Sequence, residues 1–469
     1  MRVMAYSQNP PHGPHLAAML EVIHDHLAAG DEVVVLVCHG AHETCWLNPD
    51  HRRSRCLACR FGTRTGLRQL THPRLRIVRL PDQSAQEVTV PHFADIVALK
   101  HWTWEGVPHG VGIASSLISE VRDPVPDLGR HRGLVARLVR TSVAFHRTIT
   151  RACRELRPQR FYVQNGRVCE LRAAYLAARQ AGMEVCVVAD ISPGSDRYII
   201  FTGGTPHELA VMKRAIDTTW EESPLPAAER RALAHEVWAA FREHRNPLWA
   251  YANKQQSGHL PAGLDPARRV VTIFNSSEDE MVAFDELRIP GHGSQEAAIR
   301  HLLALSWPDD VRFVLRIHPN LAGLDNAQTR ALAGLADARL LVIAASDAAD
   351  TYALLDRSHA VITFGSTLGI EAVHWGRPSI LLGRAPYEDL PGVVRPADDR
   401  ALLDAVLRPA IADDRSGADR YGYFLARAGR EFVHYRPGKY PGRGTWSGHR
   451  LWPPRFFDTL LSVAYRFGL

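Results

Sequence analysis

The chain has 469 residues, with 56 Lys plus Arg against 50 Asp plus Glu and 46% hydrophobic residues. It is too long for one ordinary core, suits two domains of about 200 residues each, and has the composition of a soluble globular protein. The formal charge of +6 is scattered and carried almost wholly by Arg, only Lys100, Lys213, Lys254 and Lys439 being Lys, which argues against nucleic acid and for small anions such as sugar nucleotides. With no opening basic-then-apolar signal and no apolar run of about 18 residues, the expectation is a cytoplasmic protein that does not span a membrane.

Arg2 to Tyr6 reads as a strand, Leu16 to Ala29 as a helix and Glu32 to Val37 as a second strand, giving a first βαβ unit. The loop between them carries His12 and His15 at the rim where open α/β sheets bind ligands, and His15 is a candidate general base. Cys38-x6-Cys45-x10-Cys56-x2-Cys59 follows. The Cys-x2-Cys arm lets two thiolates bind one tetrahedral ion, so Cys38, Cys45, Cys56 and Cys59 are expected to hold a structural zinc and to order a loop poor in apolar residues. The alternatives are an iron–sulfur cluster, a redox pair at Cys56 and Cys59, or four reduced thiols.

Leu75 to Leu80 is a strand, Phe93 to Glu120 mixes helical spacing with a Gly-rich interruption, and Gly133 to Leu156 is a long amphipathic helix ended by Pro158. Arg160 to Asn165 is a strand leading through Gly166 and Arg167 into a helix from Glu170 to Ala181. The strand Glu184 to Ala189 then ends on Asp190. Asn165 and Arg167 are candidates to hold a sugar or phosphate, and Asp190 is placed as a general base; plain turn and cap roles compete for Asn165 and Asp190. Pro224 to Arg245 is helical, and residues 251–269, rich in Gly and Pro, read as the linker between an N-terminal domain (1–250) and a C-terminal one (270–430). Residues 431–469 form a tail with a C-terminal helix.

In the second half Val270 to Phe274 is a strand followed by Asn275, Ser276 and Ser277, and Val311 to Ile317 delivers His318-Pro319-Asn320 to the same rim, with Arg316 two residues back. Ala360 to Thr363 enters Gly365-Ser366-Thr367, the helix that follows carries Glu371 one turn in, and Gly376 and Pro378 stop it. The N–H groups and hydroxyls at Ser366 and Thr367 suit a phosphate oxygen. Arg455 to Leu469 carries an apolar helical stripe, suited to packing across two domains or to a membrane surface.

Arg316-Ile-His318-Pro319-Asn320 together with the Gly-Ser-Thr-Leu-Gly-Ile-Glu371 turn resembles the capsule and surface polysaccharide glycosyltransferases of the GT-B fold. The cysteine cluster, Asn165-Gly166-Arg167, Ser276 to Glu280 and Gly376-Arg377-Pro378 extend the likeness. The resemblance implies two facing Rossmann-like domains with mostly parallel sheets. It further implies a glycan or glycolipid acceptor on the first, a nucleotide-sugar donor on the second, and inverting transfer without a catalytic metal. On that basis His318 contacts the donor phosphate with Ser366 and Thr367, and Glu371 reads the ribose. Arg316, Asn275, Ser276 and Ser277 complete the donor site, and Asp190 or His15 serves as base. A polyol-phosphate transferase, a nucleotide-sugar epimerase and a non-catalytic partner in polysaccharide assembly are the competing readings.

Overall fold

Runs of β-branched residues without polar alternation, such as Glu32–Val37 (EVVVLV) and Arg269–Phe274 (RVVTIF), shun water on both faces and belong inside parallel sheets covered by helices. Both runs do so here, in a computed structural model that describes residues 1–8, 14–81, 88–189, 196–245, 255–265, 267–410, 414–438 and 444–453. The chain divides into two units, the first formed by 1–121, 126–211 and the segment from 429 on, the second by 122–125 and 212–428.

In the first unit the strands are β1 (Arg2–Ser7), β2 (Glu32–Val37), β3 (Leu75–Arg79), β4 (Arg160–Gln164), β5 (Glu184–Ala189) and β6 (Arg197–Thr202). Its helices are α1 (His15–Ala28), α2 (Arg53–Arg68), α3 (Ile96–Lys100), α4 (Gly110–Val121), α5 (Arg132–Leu156) and α6 (Cys169–Gln180), and α7 (Leu209–Glu221) leads out of it. The sheet order is β3-β2-β1-β4-β5-β6, parallel except for β6, which runs antiparallel to β5. This is the Rossmann order, in which the reversal between β1 and β4 opens a crevice at the strands' carboxyl ends. α5 forms because apolar residues recur at helical spacing: Val135, Leu138, Val139, Ser142 and Val143 are buried with Ile149 and Cys153, and Arg157, in the left-handed region at φ 46°, ends it before Pro158.

The second unit contains α8 (Ala227–Arg242), β7 (Arg269–Phe274), α9 (Gln295–Ala304), β8 (Val311–Arg316), α10 (Ala327–Ala333), β9 (Leu340–Ile343), α11 (Thr351–Arg357) and β10 (Ala360–Thr363). It continues through α12 (Leu368–His374), β11 (Ser379–Leu381), β12 (Val393–Val394), α13 (Asp399–Leu407) and α14 (Ser416–Arg427). Its sheet, β9-β8-β7-β10-β11-β12, is parallel throughout and has its reversal between β7 and β10. The core over this sheet is Val271, Ile273, Ile299, Phe313, Leu315 and Ile362, all fully buried.

The boundaries differ from the expected linker. α8, expected in the first domain, belongs to the second unit because Trp238 is completely buried there, its indole N–H donating to Ala418 O at 3.2 Å and its ring stacked on Tyr421. Gly422 permits this approach: a Cβ at that position would stand 2.5 Å from the Trp238 ring nitrogen. Conversely, residues after 428 return to the first unit. There β13 (Arg430–Glu431) pairs antiparallel with β6, and the backbone N–H groups of His434 and Tyr435 donate to the buried Glu21 carboxylate at 2.7 and 3.1 Å. A small antiparallel sheet of β14 (Tyr435–Arg436), β15 (Thr445–Trp446) and β16 (His449–Arg450) follows. The expected C-terminal helix from Arg455 lies outside the described residues. No helix among those described is long and apolar enough to cross a membrane.

Candidate active site

Reversal of strand order between β7 and β10 predicts where a ligand sits before any side chain is considered. A cavity of about 80 Å³ is found there, lined by Asn275 after β7, Arg316 at the end of β8 and His318 beyond it, and Ser366, Thr367 and Glu371 after β10. It has room for a phosphate or part of a sugar ring. The turn after β10 is tight because Gly369 lets α12 close on the strand: a Cβ there would lie 2.7 Å from Thr363 Oγ1 and 2.6 Å from the Tyr387 hydroxyl.

Arg316 is 2% exposed, and its terminal nitrogens donate to the carbonyl oxygens of Ala344 and Asp347. Its Nε finds no hydrogen-bond partner and no carboxylate pairs with it among the described residues. Burial lowers its pKa against the opposing pull of the Asp347 carboxylate, so the guanidinium is a cation held at a cost that an arriving anion would offset. His318 is fixed by two contacts: its backbone N–H donates to Asn275 Oδ1 at 2.8 Å and its Nδ1 accepts from Asn320 N at 3.1 Å. That acceptance places the ring proton on Nε2. Burial, followed by the nearby Arg316, brings the imidazole down to about 4, so it is a neutral hydrogen-bond donor at neutral pH.

Glu371 is 1% exposed and accepts from the Tyr352 hydroxyl at 2.6 Å and the Thr367 hydroxyl at 2.9 Å. Burial pushes its carboxyl up to about 7, against those two donors. Its first task is therefore to orient Thr367 and Tyr352, and a ribose hydroxyl would have to use a remaining lone pair. Tyr352, together with Phe241 and His244 beyond the end of α8, completes the cavity wall. None of these three was a sequence candidate. Tyr352 carries a local signal, standing just after the Asp350 N-cap of α11, whereas the α8 residues arrive by packing that no local pattern records.

Residues 280–420 match the family described as capsule polysaccharide biosynthesis protein. The likeness is confined to this part of the chain. No curated protein matches the chain. Among solved structures, similarity extends to the β-Kdo 2,4 transferase KpsC of Thermosulfurimonas dismutans (13% identity, 65% of this chain and 87% of that one, TM-score 0.37). It extends also to a putative UDP-N-acetylglucosamine 2-epimerase of Listeria monocytogenes (14% identity, 92% of each chain, TM-score 0.29). The glycosyltransferase SnogD of Streptomyces nogalater is a further case (14% identity, 92% and 96%, TM-score 0.26).

The matched segment includes Arg316, His318, Ser366, Thr367 and Glu371, and Asn275 stands just before it. Ser276 and Ser277, expected at the donor, do not line the cavity. Ser276 is a scaffold: its N–H donates to Gln295 Oε1 at 2.9 Å and its carbonyl accepts from Gln295 and Gln328, while the Ser277 hydroxyl donates to Asp279.

In the first unit Asp190 lies outside the described residues, and His15 is the first residue of α1. Asn165, at φ 53°, accepts the Arg167 backbone N–H at 3.2 Å and donates its own N–H to Val188 O, which is a turn-closing role. Arg167 lies close enough to His207 to help burial bring that imidazole down to about 3. At the β1/β4 reversal a group the sequence reading passed over is buried. Glu170, completely inaccessible, accepts from Gln8 Nε2 at 3.0 Å and Trp46 N at 3.3 Å, and burial raises its pKa.

Cys38, Cys45, Cys56 and Cys59, expected to hold zinc, form no disulfide, and no group of three or more His, Cys, Asp or Glu among the described residues is arranged to hold a metal ion. Cys56 Sγ instead accepts from Asn48 Nδ2 at 3.3 Å, and burial pushes the Cys45 thiol well up. Burial of Cys38 is outweighed by His42 and by the backbone of Gly40 and Ala41, which bring that thiol down to about 7. The order the loop was expected to draw from metal comes from α2 and from polar ties. Glu43 accepts from Arg140 through three contacts of 2.7 to 2.9 Å, and Asn48 is bonded to the Arg52 backbone in both directions.

Proposed function

We propose that this protein is a glycosyltransferase that moves a sugar from a nucleotide-activated donor to a hydroxyl of a surface-polysaccharide or glycolipid acceptor, with inversion. The observation that supports it most strongly is Arg316: a buried guanidinium without a carboxylate partner among the described residues, facing a phosphate-sized cavity at the β7/β10 reversal. In this reading the donor's phosphate pairs with Arg316. The neutral Nε2–H of His318 and the Thr367 hydroxyl donate to oxygens on which charge develops as the nucleotide leaves, a role for preorganised donors that strengthens in a water-poor site. The acceptor hydroxyl loses its proton to a carboxylate or imidazole of the first unit, with Asp190 and then His15 as the assigned bases.

A thermal-shift screen of cytidine, uridine, guanosine and thymidine nucleotides tests the donor side, since a ligand of the native state raises its melting temperature. One nucleotide class is expected to stabilise the wild type. Arg316→Gln, which loses a charge-assisted contact worth about 1.5–3 kcal/mol, is expected to bind it at least tenfold more weakly. No shift with any nucleotide, or equal shifts for both proteins, counts against the donor site. For the acceptor side, Asp190→Asn is expected to keep the nucleotide shift and lose product formation measured by mass spectrometry; the same pattern in His15→Ala alone would move the base to His15.

A further inference from the structure

Nine arginines and no acidic residue occupy the stretch from Arg52 to Arg79. The fold gathers four of them onto one face. On α2, Arg60, Arg64 and Arg68 recur at helical spacing and lie along about 12 Å of helix, while Arg79 joins them from the edge strand β3. They border a cavity of about 470 Å³. None of the four forms an ion pair with an acidic side chain among the described residues. His39 in the same cavity is held below its usual pKa by burial and then by Arg60, Arg79 and Arg64, so three of the cations act on one point.

Between the arginines lies exposed apolar surface. Leu57 is 56% exposed, Phe61 41% and Ile77 49%, and all three line the cavity. Leu57 and Phe61 are one turn apart on the arginine face of α2, and Ile77 alternates onto the same side of β3 as Arg79. An aliphatic patch ringed by cations fits poorly with nucleic acid or an acidic glycan. Those polyanions offer charge to the arginines but nothing apolar to Leu57 and Ile77, and a single aromatic ring makes no stacking platform.

We propose that the α2–β3 face is a docking surface for an anionic lipid bilayer, lipid phosphates pairing with Arg60, Arg64, Arg68 and Arg79 while Leu57, Phe61 and Ile77 enter the acyl boundary. Guanidinium groups suit this task because they pair with phosphate oxygens through two parallel bonds and their stems lie along apolar surface. The surface is separate from the donor cavity and does not depend on the reaction proposed for it.

Co-sedimentation of the full chain with vesicles tests it. The wild type is expected to pellet with an equal mixture of phosphatidylserine and phosphatidylcholine, to remain in solution with phosphatidylcholine alone, and to release as salt is raised. Changing Arg60, Arg64, Arg68 and Arg79 to Gln is expected to lower partitioning by about fivefold per residue. Leu57→Ser with Phe61→Ser is expected to weaken it without abolishing its salt dependence. Equal binding to neutral vesicles overturns the proposal, as does an arginine variant that pellets like the wild type. Capture of single-stranded DNA or heparin without vesicle binding also overturns it, and so does release by millimolar inorganic phosphate at constant ionic strength, which would mark a pocket for a free anion. Variants that melt early while vesicle binding is unchanged would show that the chain itself covers the face; the wild-type comparison of the two vesicle types stands even if a variant fails to fold.

Discussion

Glu371 carries two demands that pull in opposite directions. Its oxygens accept from Tyr352 and Thr367, which favours the carboxylate, yet burial outweighs them and raises the group to about 7. Below that value it is a neutral acid lining the same cavity as Arg316, and above it a negative charge opposes the anion the cavity is expected to take. Nucleotide affinity is therefore expected to fall as pH rises from 6 to 8.5, and Glu371→Gln, the uncharged counterpart, to bind nearly as tightly at pH 8.5 as at 6. Titration calorimetry at several pH values measures both. If the variant binds weakly at every pH, the carboxylate contacts the ribose directly and electrostatic opposition is not its main effect. Residue types at the rim could be read from the sequence because Arg316, His318, Ser366, Thr367 and Glu371 stand within a few positions of apolar runs. Their protonation could not, since it follows from burial, which leaves the His318 imidazole neutral at neutral pH.

Among the elements, buried strands were the most legible. Continuous Val, Ile, Leu and Phe runs placed β2, β5, β7, β8 and β10 to within a residue of their observed bounds. α2 went unread because its sequence, RSRCLACRFGTRTGLR, has four small residues (Ser54, Ala58, Gly62 and Gly66) and five arginines and buries chiefly those four with Thr63 and Leu67. A helix held by small side chains lacks the apolar stripe that periodicity detects; at Gly66 an added Cβ would stand 2.4 Å from a Leu20 methyl. The assignment of α8 failed for another reason, since Trp238 finds its partners on α14, nearly two hundred residues away. Trp238→Ala is expected to destabilise the second unit by about 3–5 kcal/mol, the usual cost of emptying a buried aromatic site, and to lower the first transition in differential scanning calorimetry. A loss under 1 kcal/mol would mean that α8 contributes little to that unit.

For the molecule as a whole, acid is the weak side. Burial holds His109 and His207 in the first unit near 3, and His318 and His374 in the second near 4. An unfolded histidine titrates near 6.5, so as pH falls below that value the unfolded chain takes up protons that the folded one refuses. Each such group removes at most about 1.4 kcal/mol of stability per pH unit, between 6.5 and its folded value. Glu371 works the other way, its contribution being present below the unfolded carboxyl value and lost as pH rises through about 7, and the buried Glu170 and Glu278, also raised, share its sign; the lowered imidazoles of His39, His146, His292 and His359 add to the first four. Melting temperatures followed by circular dichroism are expected to drop steeply from pH 6.5 to 4.5; a flat profile would mean that these imidazoles are not held neutral. The path of the chain has a different consequence. Because 429 onward supplies β13 to the first sheet and α8 belongs with α14, neither unit is an uninterrupted piece of sequence. A chimera meant to graft a new donor specificity onto this acceptor side cannot be spliced once at residue 250, where the incoming half would lack α8 and the outgoing half would keep an unpartnered Trp238. It has to be spliced twice, near 211 and 428, with the tail retained from the parent that supplies the beginning.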